Sequence, residues 1–114
     1  MEFWHNPRCR KSREALALLN DRGVEFKIRE YLKTPPNAGE IKSLLAKLGF
    51  DGPRALMRTG QAEYKAMELA KISDPEDLIE AMAQNPILIE RPIFIVGERA
   101  VIGRPPETVL TLID

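Results

Sequence analysis

Residues 92–103 read Pro-Ile-Phe-Ile-Val-Gly-Glu-Arg-Ala-Val-Ile-Gly. Two apolar runs flank Gly97-Glu98, which is the pattern of two antiparallel strands joined by a tight turn. The other end of the chain carries a different pattern. Phe3-Trp4 is a short strand ended by Asn6-Pro7, and Cys9 to Arg22 reads as a helix with Ala15, Leu16, Leu18 and Leu19 on its apolar face. Gly23 is placed to end that helix in a left-handed cap. Val24, Phe26 and Ile28 then alternate with Glu25, Lys27 and Arg29, the period of a half-buried strand. Strand, helix, strand is the unit that builds a parallel pair. After the hairpin, Pro105-Pro106 opens a last helix with Val109, Leu110 and Ile113 on its buried side.

The middle of the chain is helical. Thr34-Pro35-Pro36 breaks the preceding strand, and Asn37-x-x-Glu40 resembles a capping box. Ile41, Leu44, Leu45 and Leu48 follow at helical spacing, and Gly49 closes the helix. Further helical stretches are expected from Pro53 to Met57, around Tyr64 to Leu69, and from Ser73-x-x-Glu76 through Leu78, Ile79 and Met82 to the stop at Asn85-Pro86. The order is therefore β-α-β, a helical insertion over about residues 38–85, then β-β-α. That order predicts an α/β protein of thioredoxin-like fold, one domain over residues 1–114, built on a mixed sheet. A length of 114 residues suits a single core.

Charge narrows the function. Lys plus Arg and Asp plus Glu both number 17, so the chain is neutral overall, unlike a protein that binds nucleic acid through bulk positive charge. No apolar run approaches the roughly 18 residues of a membrane span, and the first residues lack the regions of a signal peptide. One cysteine cannot close an internal disulfide, which fits a reducing compartment, so a cytoplasmic location is expected.

Against that neutral background, His5-Asn6-Pro7-Arg8-Cys9-Arg10-Lys11-Ser12-Arg13 is locally basic and holds the only cysteine and the only histidine. A lone cysteine is by base rate more often a small buried hydrophobe than a nucleophile. Cys9, however, falls between the first strand and its helix, where backbone N–H groups and the helix dipole favour a thiolate. Arg8, Arg10, Lys11 and Arg13 add positive charge, and His5 is either a further tuner of the thiol or a strand-end surface residue. The same surroundings suit an oxyanion. Arg58, Arg91 and Arg104 stand out because each sits at an element end or beside a chain-bending residue. Taken singly, each reads first as a surface charge, as most arginines are. Arg91-Pro92 is also a candidate cis peptide bond at the start of a strand.

These residues resemble a known family. His5-Asn6-Pro7-x-Cys9-x-x-Ser12-Arg13, Tyr31-Leu32-x-Thr34-Pro35, Arg54-Ala55-Leu56-Met57-Arg58, Asn85-Pro86-Ile87-Leu88-Ile89-Glu90-Arg91-Pro92-Ile93 and Gly103-Arg104-Pro105-Pro106-Glu107 are similar to the arsenate reductases that use glutathione and glutaredoxin. The resemblance implies that Cys9 attacks arsenate as a thiolate and that Arg58, Arg91 and Arg104 hold the oxyanion and the thiol–arsenate adduct. It implies that His5 helps lower the cysteine pKa and that Pro92 is the cis proline of the site. Glutathione would then be a co-substrate and glutaredoxin a partner, with no metal and no resident cofactor. A monomer that binds neither nucleic acid nor membrane is expected.

Two other readings share this fold: a non-enzymatic Spx-type regulator of RNA polymerase, and a glutathione-linked thiol reductase with another substrate. Ser12 stands where thioredoxins carry a second cysteine, so no disulfide can close within the chain. An external thiol must complete each cycle of any redox reaction at Cys9.

Overall fold

The structure, a computed structural model, describes all 114 residues. The chain divides into two compact units, residues 1–34 with 91–114, and residues 35–90.

The first unit holds a four-stranded sheet in the order β2-β1-β3-β4. Its strands are β1 (Glu2–Trp4), β2 (Lys27–Arg29), β3 (Ile93–Val96) and β4 (Arg99–Ile102). β1 runs parallel to β2 and antiparallel to β3, and β3 pairs antiparallel with β4. This is the mixed sheet of a thioredoxin-like α/β fold. Phe3 and Phe94 face each other in register and are fully buried beneath α1 (Arg10–Asp21) and a 3-10 helix at Pro106–Leu112. Ala15 and Leu19 of α1 and Val109 of the 3-10 helix complete that core. The last element is thus a tighter 3-10 helix, not the α-helix that its spacing predicts. Its ends close at the i→i+3 spacing of a 3-10 helix, with Thr108 N–H on the Pro105 carbonyl at 3.0 Å and Ile113 N–H on the Leu110 carbonyl at 3.1 Å.

Two further expectations are corrected. β2 spans Lys27–Arg29 only, because β1 offers it just three partners. Ile28, expected on the buried side, is 53% exposed. It pairs with Phe3 and shares its face, but β2 is an edge strand and the cover over Phe3 does not extend that far. α1 ends as the sequence implies, with Gly23 left-handed at φ +67° and its N–H on the Asn20 carbonyl.

The second unit packs α2 (Ala38–Leu48), α3 (Ala62–Ala66) and α4 (Pro75–Gln84), with 3-10 turns at Pro53–Leu56, Leu69–Lys71 and Pro86–Leu88. Asn37 and Glu40 form a reciprocal capping box at the start of α2. α4 is capped by Asp74, whose side chain accepts from the Glu76 N–H, rather than by the expected Ser73. Proline at 75 fixes the reason: it takes the first helical position, which makes its predecessor the cap. Arg54 ties the unit together by donating to the Tyr64 hydroxyl and to the carbonyls of Leu69 and Ile72. No helix is long and apolar enough to cross a membrane.

Candidate active site

Register places the chemistry. Trp4 pairs with Arg29 on one side and Ile93 on the other, and Ile93 pairs with Ile102. The chain therefore leaves β1, leaves β2, enters β3 and leaves β4 at the same end of the sheet. Cys9, Arg91 and Arg104 all lie just beyond that end.

Cys9 is the N-cap of α1, with extended backbone at φ −93° and ψ 121°. Its N–H donates to the Asn6 carbonyl at 3.0 Å and its carbonyl accepts from Arg13 N–H at 3.0 Å. Caps of this kind usually carry an oxygen that accepts from the second or third helical N–H. The neutral thiol makes no such bond, but the thiolate is an acceptor for the N–H groups of Ser12 and Lys11. Cys9 is buried, with 7% of the residue exposed. Burial is the largest influence on the thiol and pushes its pKa up. The Ser12 N–H, the Arg91 charge, an Arg91 hydrogen bond and the Lys11 N–H together outweigh it, so the pKa falls below its ordinary value. No acidic residue sits in the first turn of α1 to oppose this.

The cations nearest in sequence are not the ones that act on the thiol. Arg10 turns away to Glu14 at 2.9 Å, and Arg13 donates to the Pro7 carbonyl at 2.9 Å, bracing the loop. The charge at the sulfur comes from across the sheet. Arg91 supplies it directly, and Arg104 Nη2 lies 3.9 Å from Cys9 Sγ. Arg104 Nε also donates to the Arg91 carbonyl at 2.7 Å, while the Gly103 N–H donates to the Pro92 carbonyl at 2.8 Å. These two bonds clamp the residues before β3 to those after β4. Nε and Nη1 of Arg91 are buried without a hydrogen-bond partner in the protein. Buried guanidinium donors are rarely left unpaired, and an anion beside Cys9 is the natural acceptor.

The peptide bonds Arg91–Pro92 and Arg104–Pro105 are both cis; sequence reading singled out only the first. His5 is buried behind the loop, and its Nδ1 shares a hydrogen bond of 2.6 Å with Ser12 Oγ, which also accepts from the Asn6 N–H at 3.1 Å. Burial lowers the His5 pKa; nearby Glu30 opposes this and Arg13 adds to it, leaving the ring neutral near pH 7. His5 thus reaches the thiol through Ser12, the residue whose N–H faces the sulfur. That seven-residue link depends on the fold and has no local signature in the sequence. Arg58 belongs to the second unit, where its N–H donates to the Leu88 carbonyl at 2.7 Å and Nη1 to the Ile87 carbonyl at 3.4 Å. No group of three or more His, Cys, Asp or Glu side chains is arranged to hold a metal.

Comparison with known proteins agrees with this geometry. The chain is 47% identical over 114 residues to a protein of Escherichia coli (strain K12) named uncharacterized protein YfgD, covering 99% of this chain and 96% of that one. It is 44% identical over 112 residues to a protein of Haemophilus influenzae named arsenate reductase, with 97% of each chain covered. A solved structure titled arsenate reductase from Vibrio cholerae superposes with a TM-score of 0.93 at 43% identity, covering 97% of both chains. Residues 4–112 match the model of the ArsC family, and the chain belongs to that family.

Proposed function

We propose that this protein is an arsenate reductase in which Cys9 is the nucleophile and glutathione, with glutaredoxin, supplies the electrons. The observation that carries the reading is that Nε and Nη1 of Arg91 are buried without a protein partner while the same guanidinium bonds a thiol whose pKa is lowered. Such a pairing suits an anionic electrophile, and the names of near-full-length relatives identify arsenate among the possible oxyanions.

In this mechanism the Cys9 thiolate attacks arsenic, a sulfur–arsenic bond forms, and an arsenate oxygen leaves as water. Arg91 and Arg104 neutralise the oxyanion charge on the adduct, and Arg58 is the third candidate donor. A glutathione thiolate then completes the two-electron reduction. The sulfur of Cys9 ends as a mixed disulfide with glutathione, and arsenite departs. Glutaredoxin next removes the glutathionyl group and restores the thiolate. Summed over the cycle, arsenate and two thiols give arsenite, one disulfide and water. Ser12 cannot serve as an internal resolving group, which supports an external thiol. His5 is assigned to hold Ser12 and, through it, the N–H that faces the sulfur.

The test is arsenite formation with glutathione and glutaredoxin, run beside thioredoxin with its reductase. Turnover with the first pair is expected. Turnover with thioredoxin alone would replace the proposed coupling, and none with either would reject arsenate as substrate.

A further inference from the structure

We propose that a small cleft on the β2 side of the Cys9 loop seats the thiol co-substrate, recognising a glutathione-like peptide by its carboxylates and ammonium group. Its role in turnover rests on the glutathione-coupled reading above, but the test below does not use arsenate.

The sheet order separates two approaches to Cys9. Arg91 and Arg104 come from β3 and β4, on one side of β1. From β2, on the other side, come Glu30, Leu32 and Lys33. There a cleft of about 250 Å³ opens between those three residues and Asn6, Pro7 and Arg8 of the Cys9 loop. Arg8 is bonded directly to Cys9, so a ligand held here lies against the residue preceding the nucleophile. A larger depression, of about 420 Å³, runs along the outer edge of β2 but includes no residue of that loop.

The lining has a specific charge pattern. Arg8 and Lys33 are exposed cations and Glu30 is a half-buried carboxylate. Lys33 Nζ lies 3.4 Å from Glu30 Oε1, a solvent-facing i,i+3 pair of the kind that contributes little and is readily exchanged for a ligand's groups. Leu32, 38% exposed, and the exposed ring of Pro7 supply apolar surface among the charges. Two cations and one carboxylate around an apolar patch complement a short peptide with two carboxylates and one ammonium. Glutathione has that charge pattern. A lone oxyanion would gain from the cations but would also face Glu30. The arrangement gives the oxyanion the β3–β4 side and the thiol the β2 side, so neither needs to displace the other.

The probe is oxidised glutathione. The Cys9 thiolate attacks one sulfur of its disulfide, a Cys9–glutathione disulfide forms, the original sulfur–sulfur bond breaks, and one glutathione thiolate leaves with the electron pair. The same reaction with bis(2-hydroxyethyl) disulfide, which is uncharged, reports the intrinsic reactivity of Cys9. The ratio of the two rates measures recognition. Lys33→Glu and Arg8→Glu should each lower the ratio about tenfold, as expected for losing one charge-assisted contact. Lys33→Arg should retain it. An unchanged ratio in both charge-reversal variants, or equal slowing of both disulfides, overturns the assignment. Loss of selectivity in a protein that makes no arsenite would uphold the cleft and reject only the choice of arsenate. Arsenite production with selectivity unchanged would do the reverse.

Discussion

Gly103 offers a direct test of how the site is held together. A Cβ placed on it would lie 2.8 Å from Pro92 Cγ and 3.0 Å from Val109 Cγ1. Carbon atoms prefer about 3.5–4.0 Å, so Gly103→Ala requires a displacement of roughly 0.5–0.7 Å. Neither neighbour yields easily: Pro92 is a buried ring flanked by the clamp, and Val109 is a fully buried core residue. Overpacking of this kind costs about 1–3 kcal/mol. Reduced freedom of the unfolded chain returns about 0.4–1 kcal/mol on a glycine-to-alanine change. At mid-range values the clash therefore wins by about 1.3 kcal/mol (about 0–2.6 at the extremes), which at roughly 4 °C per kcal/mol lowers the melting temperature by about 5 °C. The functional effect should be larger than the stability effect suggests. Pro92 carries Arg91 with it, and a 1 Å error in a catalytic group costs about 10²-fold in rate, so a fall near tenfold is expected. Calorimetry and steady-state kinetics on the purified variant measure both. A melting temperature at or above that of the parent, with full activity, would refute the packing argument.

Other expectations follow from the same geometry. Because the Cys9 pKa is lowered, the thiolate persists to lower pH than in a free cysteine; the midpoint of alkylation rate against pH should lie below that of a free cysteine measured alongside. Arg91→Met should move that midpoint upward, since it removes both a charge and a hydrogen bond from the thiolate; an unmoved midpoint would contradict the assignment. Arg104→Lys keeps the charge but loses the planar fork that reaches both the Arg91 carbonyl and the sulfur, so kcat should fall by about 10²-fold with a smaller change in KM. Arg54→Ala strands the Leu69 and Ile72 carbonyls in the second unit and should cost about 1.5–3 kcal/mol in denaturant unfolding.

Much of this site was legible in the sequence because its parts sit at element boundaries. Pro7 and Cys9 mark where β1 ends and α1 begins, and Gly103-Arg104-Pro105 marks the end of β4. Helix and hairpin signals were strong in α1, where one face is buried, and in the apolar runs of β3 and β4 on either side of Gly97-Glu98. The source of charge on the thiol was less legible. Arg10 and Arg13 look like its partners in one dimension, yet helical geometry turns Arg10 to Glu14 and sends Arg13 back to Pro7. Arg91 reaches Cys9 only because β1 and β3 are neighbours, a pairing across most of the chain length. The exposure of Ile28 has a related cause. Alternation reports which face a residue takes, whereas cover depends on whether the strand is central or at an edge.

The central claim is that Cys9 reacts with arsenate first and with glutathione second. Intact-mass spectrometry of the protein, incubated with glutathione but without glutaredoxin, tests that order in a single turnover. One glutathione should accumulate on Cys9 when arsenate is present, one arsenite should be released for each modified chain, and Cys9→Ser should show neither. Glutathionylation at the same rate without arsenate, or arsenite released from the Cys9→Ser protein, would contradict the account.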